Sequence, residues 1–410
     1  MRIGVFESAY LTPRPNSPSY MVLLKNQVEW FAKLGNEVTV LAEGKTSVEN
    51  GGLYTISSLT GVITPFSRTF LDRKEISYFS GVFSPEIISK AARILRKLNL
   101  DVIYTCGTSF SAVFAALLGR LTGIPTVHYV FEYTEPWMWW KGDSETLKGY
   151  KIPLTYKINQ FINTLPRELF RREILQKWGL KNVTKIIASS NYVKRLIQKF
   201  IPVGNNIYVV YPHVDLPTLT WEARNHECLI TYLGHLWQGR GVLDLVLAFS
   251  KIIDRYPQAK LVIASTNIHG LTEHYLNKLI RKFKLESRLI RIGKVNDVYH
   301  ELMLPSTVIA LPYRDTPSIK LIEAMAAGKP VVTTRIKWTS ELISDGENGF
   351  LAGVGDIEEI ANKLEIILEN PKTADEVGKK ARETIKKMCA SEKNVRRILD
   401  IIKREVTLPT

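Results

Sequence analysis

Two carboxylates lie eight residues apart in the stretch YRDTPSIKLIEAMAAGKPVVTT, Asp315 ahead of an apolar helix and Glu323 within it. Thr316 as a cap and Gly328 as a stop predict that this helix covers Pro317–Ala327. Its N-terminus would offer unpaired backbone N–H groups and the positive end of the helix dipole to a phosphate. The alternative, in which Asp315 is an ordinary turn residue and Glu323 a solvated helix residue, stays open.

The second candidate site is a glycine turn within the stretch YLGHLWQGRGVLDLVLAF. Gly234, Gly239 and Gly241 allow the backbone to approach a ligand closely, and His235 and Arg240 supply hydrogen-bonding or cationic groups. This turn and the one at Asp315 both follow strands of the same predicted sheet. Because ligands of open α/β sheets gather at the carboxyl ends of the strands, we expect both turns to face a single cleft.

The elements that position these turns alternate between strand-like and helical runs along the whole chain. That alternation predicts α/β architecture with parallel sheets covered by helices on both faces. It lapses near residue 215, so we expect two doubly wound, Rossmann-like domains over residues 1–214 and 215–388. A final helix at 389–410 carries an apolar stripe and must therefore dock on another element. We expect that element to be the first domain. The stripe consists of Val395, Ile398, Leu399 and Ile402.

Composition excludes several classes of protein. The chain has 410 residues, of which 45% are hydrophobic and 23% charged, with a mean hydropathy of −0.04. Three separated cysteines give neither a disulfide framework nor a zinc cluster, which favours a reducing, cytoplasmic setting. The sequence begins directly with a strand-like run, and no apolar run approaches the length of a membrane span. We therefore expect a protein that is neither secreted by a signal peptide nor integral to a membrane.

The excess positive charge is concentrated in one segment. The net charge is +15, and residues 141–199 contribute 13 basic and 4 acidic residues. Such a patch favours an anionic partner, although a solvated basic face remains an alternative. The segment also combines tryptophans, an apolar stripe of helical period and flanking cations, as an interfacial amphipathic element would. These candidates for acceptor or membrane contact are Trp137, Trp139, Trp140, Lys141, Arg167, Arg171 and Arg172. Tryptophans lining a sugar pocket would be the other interpretation.

Together these residues resemble the retaining glycosyltransferases of family 4, which have the GT-B fold. The most specific similarity is to the Glu-x7-Glu motif of that family, present here as Asp315-x7-Glu323. The glycine turn from Gly234 to Gly241 resembles the Gly-Arg-Leu-x-x-x-Lys-Gly turn of the family. Two further stretches are similar to sequences common in the family. They are AKLGNEVTVLAE in the first domain and SELISDGENGFLAGVGDIEEIANKL in the second. The resemblance thus spans nearly the whole chain and implies two Rossmann-like domains facing a cleft.

The resemblance implies a role for each donor-site residue. Glu323 would bind the ribose hydroxyls of a nucleotide sugar, and Asp315 would hold hydroxyls of the donor sugar. Val295 matches the place where the backbone recognises the base.

The same resemblance assigns the diphosphate end of the donor. The backbone N–H groups of Ser318 and Ile319 would meet the diphosphate, while Arg240 with His235 beside it would stabilise charge on the departing nucleoside diphosphate. Retention of configuration is implied, with a leaving phosphate oxygen deprotonating the acceptor and no dedicated nucleophile.

Four departures from the family pattern affect this assignment. Asp315 is one methylene shorter than the family glutamate, and His235 replaces an always-charged arginine by a group mostly neutral at pH 7. Ser19, after Pro18, stands where the family often has a glycine facing the donor phosphates. The first-domain histidine of the family is replaced by Phe131-Glu132, so Glu132 is a candidate to contact the acceptor hydroxyl or else a surface carboxylate. His128 is expected to pack within its strand.

The function expected from these residues is transfer of a sugar from a nucleotide-sugar donor to a hydroxyl of a glycan or lipid-linked acceptor. No Asp-x-Asp occurs, so we expect no metal and no cofactor, with UDP or GDP as the nucleotide of the donor. The enzyme would be cytoplasmic, in contact with an anionic membrane surface. Two alternatives stay open, a nucleotide-sugar epimerase of the same fold and a catalytically silent sugar-nucleotide-binding protein. The basic segment shows no nucleic-acid module, so no nucleic-acid partner is expected.

Overall fold

The computed structural model describes residues 1–7, 19–42, 55–58, 85–107, 109–133, 170–217, 228–265, 270–293, 295–314 and 318–406. The chain divides into two compact units. The first contains the described residues up to 133, those from 170 to 212, and those from 391 onward. The second contains the described residues between 213 and 390.

Strands and helices alternate through the first part of the chain. A π-helical turn, Phe170–Gln176, leads into its fourth helix. The elements are β1 (Arg2–Glu7), α1 (Ser19–Lys33), β2 (Glu37–Ala42), β3 (Thr55–Ser58), α2 (Pro85–Leu98), β4 (Val102–Cys106), α3 (Ser109–Thr122), β5 (Thr126–Val130), α4 (Lys177–Asn182), β6 (Lys185–Ala188), α5 (Asn191–Phe200) and β7 (Ile207–Val209).

The alternation resumes after residue 227. A short 3₁₀ turn, Gln238–Arg240, precedes the first helix of this part. The elements are β8 (Leu229–Leu233), α6 (Val242–Ile252), β9 (Lys260–Ala264), α7 (Gly270–Lys282), β10 (Leu289–Ile292), β11 (Val308–Leu311), α8 (Ile319–Ala326), β12 (Val331–Thr334), β13 (Phe350–Ala352), α9 (Ile357–Glu369), α10 (Pro371–Met388) and α11 (Ser391–Val406). Within the described helices, none is both long and apolar enough to cross a bilayer.

The first unit is built on a seven-stranded sheet in the order β3-β2-β1-β4-β5-β6-β7, with every neighbouring pair parallel. Because helices cover the sheet, its central strands are apolar and fully buried, as in β4 and β5. His128 lies inside β5, where its Nδ1 is 2.8 Å from Thr105 Oγ1. Burial lowers its pKa to about 3, so this histidine is a neutral core residue.

Helix α11 completes the first unit, although it follows the whole second unit in sequence. Its apolar stripe is buried, with Val395, Ile398 and Ile402 fully inaccessible, and the helix packs against α1. Asn394 Nδ2 donates to the Tyr211 carbonyl at 3.0 Å, which ties the helix to the segment after β7.

The second unit has a six-stranded parallel sheet in the order β10-β9-β8-β11-β12-β13. The strand order reverses between β8 and β11, whose register pairs Val308 with Ile230 and Ile309 with Thr231. Such a reversal is a topological switch point, where the loops at the carboxyl ends of the two strands diverge and leave a crevice.

These observations confirm the predicted α/β fold with two Rossmann-like domains. One local prediction is wrong: the helix after Asp315 does not start at Pro317 with Thr316 as its cap. It covers Ile319–Ala326, because Ser318 adopts the extended N-cap conformation and accepts a hydrogen bond from Lys320 N. The middle segment of the first unit ends at Pro212, two residues before the boundary that the sequence predicts after 214. Val214 N donates to the Cys389 carbonyl, and that hydrogen bond holds Val214 in the second unit.

Replacing Gly378 by alanine tests the packing of α10 against the end of α8. An added Cβ would lie 2.2 Å from the Gly328 carbonyl oxygen, a backbone atom that cannot move aside cheaply. We expect Gly378→Ala to lower the free energy of unfolding of the second unit by about 1–3 kcal/mol, as overpacking does. Gly270→Ala is the matched control, since nothing lies within 4 Å of its added Cβ. Equal melting temperatures for the two variants would contradict this account.

Candidate functional site

Two turns meet at the switch point of the second sheet, one after β8 and one after β11. The first begins at Gly234, whose N–H donates to the Ala264 carbonyl, and ends at Gly241, the N-cap of α6. Gly241 has φ +65°, and a Cβ there would lie 1.9 Å from the carbonyl oxygen of Pro312, just after β11. Glycine is therefore required where the backbones of the two turns touch.

Two buried tyrosines at the ends of these strands fix the first turn. The Tyr232 hydroxyl lies within hydrogen-bond distance of the carbonyls of His235 (2.9 Å) and Arg240 (3.3 Å). The Tyr313 hydroxyl donates to the Leu233 carbonyl at 2.7 Å. Burial raises the pKa of both phenols, so they remain protonated donors at neutral pH. Neither tyrosine was singled out from the sequence, because their targets are backbone carbonyls.

Arg240 extends from this turn over the ring of Tyr313, with its Cζ 5.2 Å from the ring centroid. An aromatic face attracts a cation without neutralising it. Among the described residues, the carboxylates near the two turns pair with other cations, Asp244 with Arg314 and Glu323 with Lys320. Burial and, second, the charge of Arg240 lower the pKa of the half-buried His235. His235 is therefore a neutral imidazole at pH 7.

The second turn ends at the N-terminus of α8, where Ser318 is the cap. Its Oγ accepts a hydrogen bond from Lys320 N at 3.2 Å. The N–H of Ile319, in the first turn of the helix, has no intrahelical acceptor. An anion reaching this point would meet N–H donors and the positive end of the helix dipole.

Glu323 lies in the same helix and forms an ion pair with Lys320, with Oε2 2.7 Å from Nζ. Its side chain is 24% exposed, so it is accessible rather than fully solvated. Burial is the largest influence on the pKa of Tyr313, and the pKa is raised. The charge of Arg240 and a hydrogen bond with the Ser318 side chain partly oppose this rise, whereas the charge of Glu323 adds to it. Arg240 lies over the ring of Tyr313, the Ser318 side chain bonds its hydroxyl, and Glu323 is near enough to influence its pKa.

A buried ion pair lies beneath the two turns and was also missed from the sequence. Arg314 Nε and Nη2 contact the Asp244 carboxylate at 2.8 and 2.6 Å. The two residues are 70 positions apart, and neither belongs to a recognisable motif. Spacing alone gives no signal for such a contact.

The remaining predicted residues lie elsewhere or outside the described segments. Val295 follows β10, the outermost strand of the second sheet, and is half-buried. In the first unit, Ser19 is the first residue of α1, and Glu132 follows β5. Arg171 and Arg172 lie in the π-helical turn 170–176. The predicted residues outside the described ones are Asp315, Trp137, Trp139, Trp140, Lys141 and Arg167.

The described segments hold no group of three or more histidine, cysteine, aspartate or glutamate side chains arranged to bind a metal ion. Among the described residues, the polar groups at the switch point include backbone N–H donors, the guanidinium of Arg240 and the accessible carboxylate of Glu323. That combination suits an anionic ligand that also carries hydroxyl groups.

Two Rossmann-like units, the second with a cationic glycine turn and a helix N-terminus at its switch point, define a protein of the GT-B class. Residues 22–217 match the family model described as Glycosyltransferase Family 4, and residues 221–384 match that described as Glycosyl transferases group 1. The chain therefore belongs to the group 1, family 4 glycosyltransferases. The resemblance to the family 4 glycosyltransferases found in the sequence is confirmed.

Two relatives that align with most of this chain are each about a quarter identical to it over the aligned residues. N-acetyl-alpha-D-glucosaminyl L-malate synthase of Bacillus anthracis is 25% identical over 75% of this chain and 76% of the relative. Alpha-monoglucosyldiacylglycerol synthase of Acholeplasma laidlawii is 23% identical over 93% and 92%. Anabaena HepE, solved in complex with UDP, superposes with a TM-score of 0.70 at 17% identity, over 98% of this chain and 100% of that one. This structural likeness shows a shared fold.

The protonation of His235 provides a direct test of the site electrostatics. We expect NMR titration of ¹⁵N-histidine-labelled protein to give His235 a pKa below the ordinary value of 6.5, because burial and Arg240 both disfavour the imidazolium. Arg240→Gln should raise that pKa without restoring the ordinary value, since burial is the larger cause. His235→Gln assigns the resonance, and Arg335→Gln, an arginine outside the site, is the control. A wild-type pKa at or above 6.5 would refute the neutral imidazole.

Proposed function

We propose that the chain transfers a sugar from a nucleoside diphosphate sugar, with UDP or GDP as the nucleotide, to a hydroxyl group with retention of configuration. The observation that carries the proposal is the convergence of Arg240, Ser318 and Glu323 around Tyr313 at the switch point. A cation, a helix N-terminus and a carboxylate are what the phosphates and ribose of such a donor require.

The diphosphate would lie at the start of α8, where the backbone N–H groups of Ser318 and Ile319 are its donors. Arg240 would stabilise the charge that develops on the departing nucleoside diphosphate, which is the largest electrostatic contribution this reaction can receive. Its position over an aromatic ring supports this role, since a carboxylate partner would cancel the charge. His235, held neutral, would add a hydrogen bond rather than a second cation.

Glu323 would accept hydrogen bonds from the ribose hydroxyls, and Asp315 from hydroxyls of the transferred sugar. In the described structure Glu323 Oε2 is occupied by Lys320 Nζ. A ribose diol would share the carboxylate with that ammonium group, because a carboxylate offers about four acceptor positions. Val295, in the loop after β10, would contact the nucleotide base through its backbone.

Retention of configuration would follow from attack of the acceptor on the same face that the leaving group vacates. A phosphate oxygen of the leaving group would take the proton of the acceptor hydroxyl, so that no protein nucleophile is required. Glu132, which follows β5 in the first unit, would hydrogen-bond the acceptor, and Ser19 at the start of α1 would contact the donor phosphates. We propose that the reaction needs no metal ion and no cofactor, because Arg240 and the helix N-terminus supply the positive charge.

The acceptor would be a glycan or a lipid-linked sugar presented at an anionic membrane surface. Support comes from the charge of residues 141–199 and from the described end of that segment. There, Phe170 and Ile174 are 44% and 56% exposed one helical turn apart, with Lys177 following them. Exposed apolar side chains beside lysines suit the boundary between headgroups and acyl chains.

A thermal-shift comparison of nucleotides with inorganic pyrophosphate tests the donor site. A nucleotide at a hundred times its Kd should stabilise the wild type by about 2.7 kcal/mol, seen as a higher melting temperature. Glu323→Ala should lose the additional stabilisation by UDP or GDP while keeping that by pyrophosphate, since only the ribose contact is removed. Arg240→Ala should weaken both and lower kcat by about 10²–10³-fold. Glu376→Ala, an exposed carboxylate on α10, is the charge-matched control.

Assays of the same purified protein test two further parts of the proposal, independence from metal ions and retention of configuration. Turnover should persist in EDTA, and the anomeric coupling constant of the product should match that of the donor. No stabilisation by any nucleotide, or an equal response from Glu323→Ala and wild type, would contradict the donor site. A product of inverted configuration would refute retention alone.

Vesicle binding tests the membrane contact. Wild type should co-sediment with vesicles that contain phosphatidylglycerol and not with neutral phosphatidylcholine vesicles. Ile174→Ser should weaken that binding roughly tenfold, because a partly buried apolar side chain contributes on the order of 1 kcal/mol at an interface. Ile366→Ser, at an exposed apolar residue of α9, is the matched control. Equal binding to neutral vesicles, or no effect of Ile174→Ser, would exclude this surface.

A further inference from the structure

The ion pair between Arg314 and Asp244 is the most buried one among the described residues of the second unit. Their side chains are only 14% and 5% exposed, and the two nitrogens of the guanidinium meet the two carboxylate oxygens in a fork. Bidentate pairs of this kind fix direction as well as distance. Buried charges are costly to desolvate, so a pair in this position is weak support for stability alone.

The pair fastens the two turns of the candidate site to each other. Asp244 lies in the first turn of α6, three residues after Gly241, and Arg314 lies in the turn that follows β11. A backbone hydrogen bond also links the two turns, because Arg314 N donates to the Gly239 carbonyl at 2.9 Å. Arg240, the cation assigned to the leaving group, is thus bracketed by Gly239 and Gly241, both of which contact the 312–314 segment.

A third loop encloses the guanidinium. A Cβ added to Gly355, in the loop between β13 and α9, would lie 3.2 Å from Arg314 Nη2. The Arg314 side chain is therefore confined between α6 and this loop. The Asp244 carboxylate balances the charge of Arg314, which is the neighbour of Asp315 in sequence. Without Asp244 a guanidinium beside the site would compete for the carboxylates that should bind hydroxyl groups.

We propose that Arg314 and Asp244 are positioning residues for the transferase reaction. They hold the Arg240 turn against the start of α8, so that the Arg240 guanidinium is in place where charge develops on the leaving diphosphate. The proposal rests on the proposed function for its kinetic consequence. Its structural part, the immobilisation of residues 238–241 by the pair, is independent of any substrate.

The first test measures backbone hydrogen exchange by mass spectrometry in the full-length protein. Asp244→Asn and Arg314→Gln should speed exchange in the peptide covering 234–241 by about tenfold, because the ion pair no longer opposes local opening of this turn. Exchange in β9, residues 260–264, should stay at the wild-type rate. Unchanged exchange in 234–241, or an equal increase in both peptides, would overturn the proposal, since either result means that the pair does not act locally.

The second test separates kcat from KM, with the donor as the varied substrate. Both single variants should lower kcat by roughly ten- to a hundredfold, as a misplaced catalytic group does, and leave the KM for donor within about threefold. Arg314→Lys, which keeps the charge but loses the fork, should lie between wild type and Arg314→Gln. Should a single variant fail to fold because one buried charge is unpaired, Asp244→Asn/Arg314→Gln removes both charges and should still lower kcat.

Asp345→Asn provides the matched control. Asp345 is a partly buried carboxylate of the same unit, paired with Lys363 and Arg335 and bonded to Leu351 N. Its loss should lower the melting temperature without changing kcat or exchange in 234–241. If Asp345→Asn lowers kcat as much as Asp244→Asn, the effect is one of general stability and the proposal fails. Absence of turnover in wild type would refute the proposed function, while hydrogen exchange would still decide the role of the pair.

Discussion

The parallel pairing of β8 with β11 determines where chemistry is possible in the second unit. These strands are neighbours in space but far apart in sequence, and the chain leaves their carboxyl ends in opposite directions across the sheet. The crevice between the two departing loops must be filled by a ligand or closed by side chains. Here the buried Tyr232 and Tyr313 lie near the ends of these strands, and their hydroxyls donate to the backbone carbonyls of His235 and Leu233.

Three cations near these two tyrosines each have a different kind of neighbour. Arg314 is neutralised by a buried carboxylate, Lys320 by the accessible Glu323, and Arg240 lies on an aromatic ring. The differences decide what each can do, because a fully paired cation holds structure whereas a cation over a ring can still receive an anion. The site thus separates the charge that supports the backbone from the charge presented to a ligand. His235 adds no further positive charge, since burial beside Arg240 keeps its imidazole neutral.

Much of this arrangement can be predicted from the sequence. The alternation of strand-like and helical runs predicts the two parallel sheets, and the glycines of the first turn predict a close approach of the backbone. The glycine turn with Arg240 and the helix with Glu323, both predicted from the sequence as candidate sites, lie at the switch point, whereas Asp315 lies outside the described residues. What escaped prediction depends on contacts between distant residues, such as Arg314 with Asp244 or Tyr313 with Leu233. The helix start was misjudged by two residues, since Thr316 and Ser318 are both good caps and only the backbone conformation of Ser318 decides between them.

The placement of α11 has a consequence for how the protein is made. The helix completes the first unit, yet the ribosome must synthesise the entire second unit, from 213 to 390, before α11 appears. At about 5–20 residues per second, that interval is on the order of ten seconds or more. During this time helix α1 lacks its partner, whereas all six strands of the second sheet, β8 to β13, have already been synthesised. The first unit therefore begins to be translated before the second but is the last to have its complete sequence.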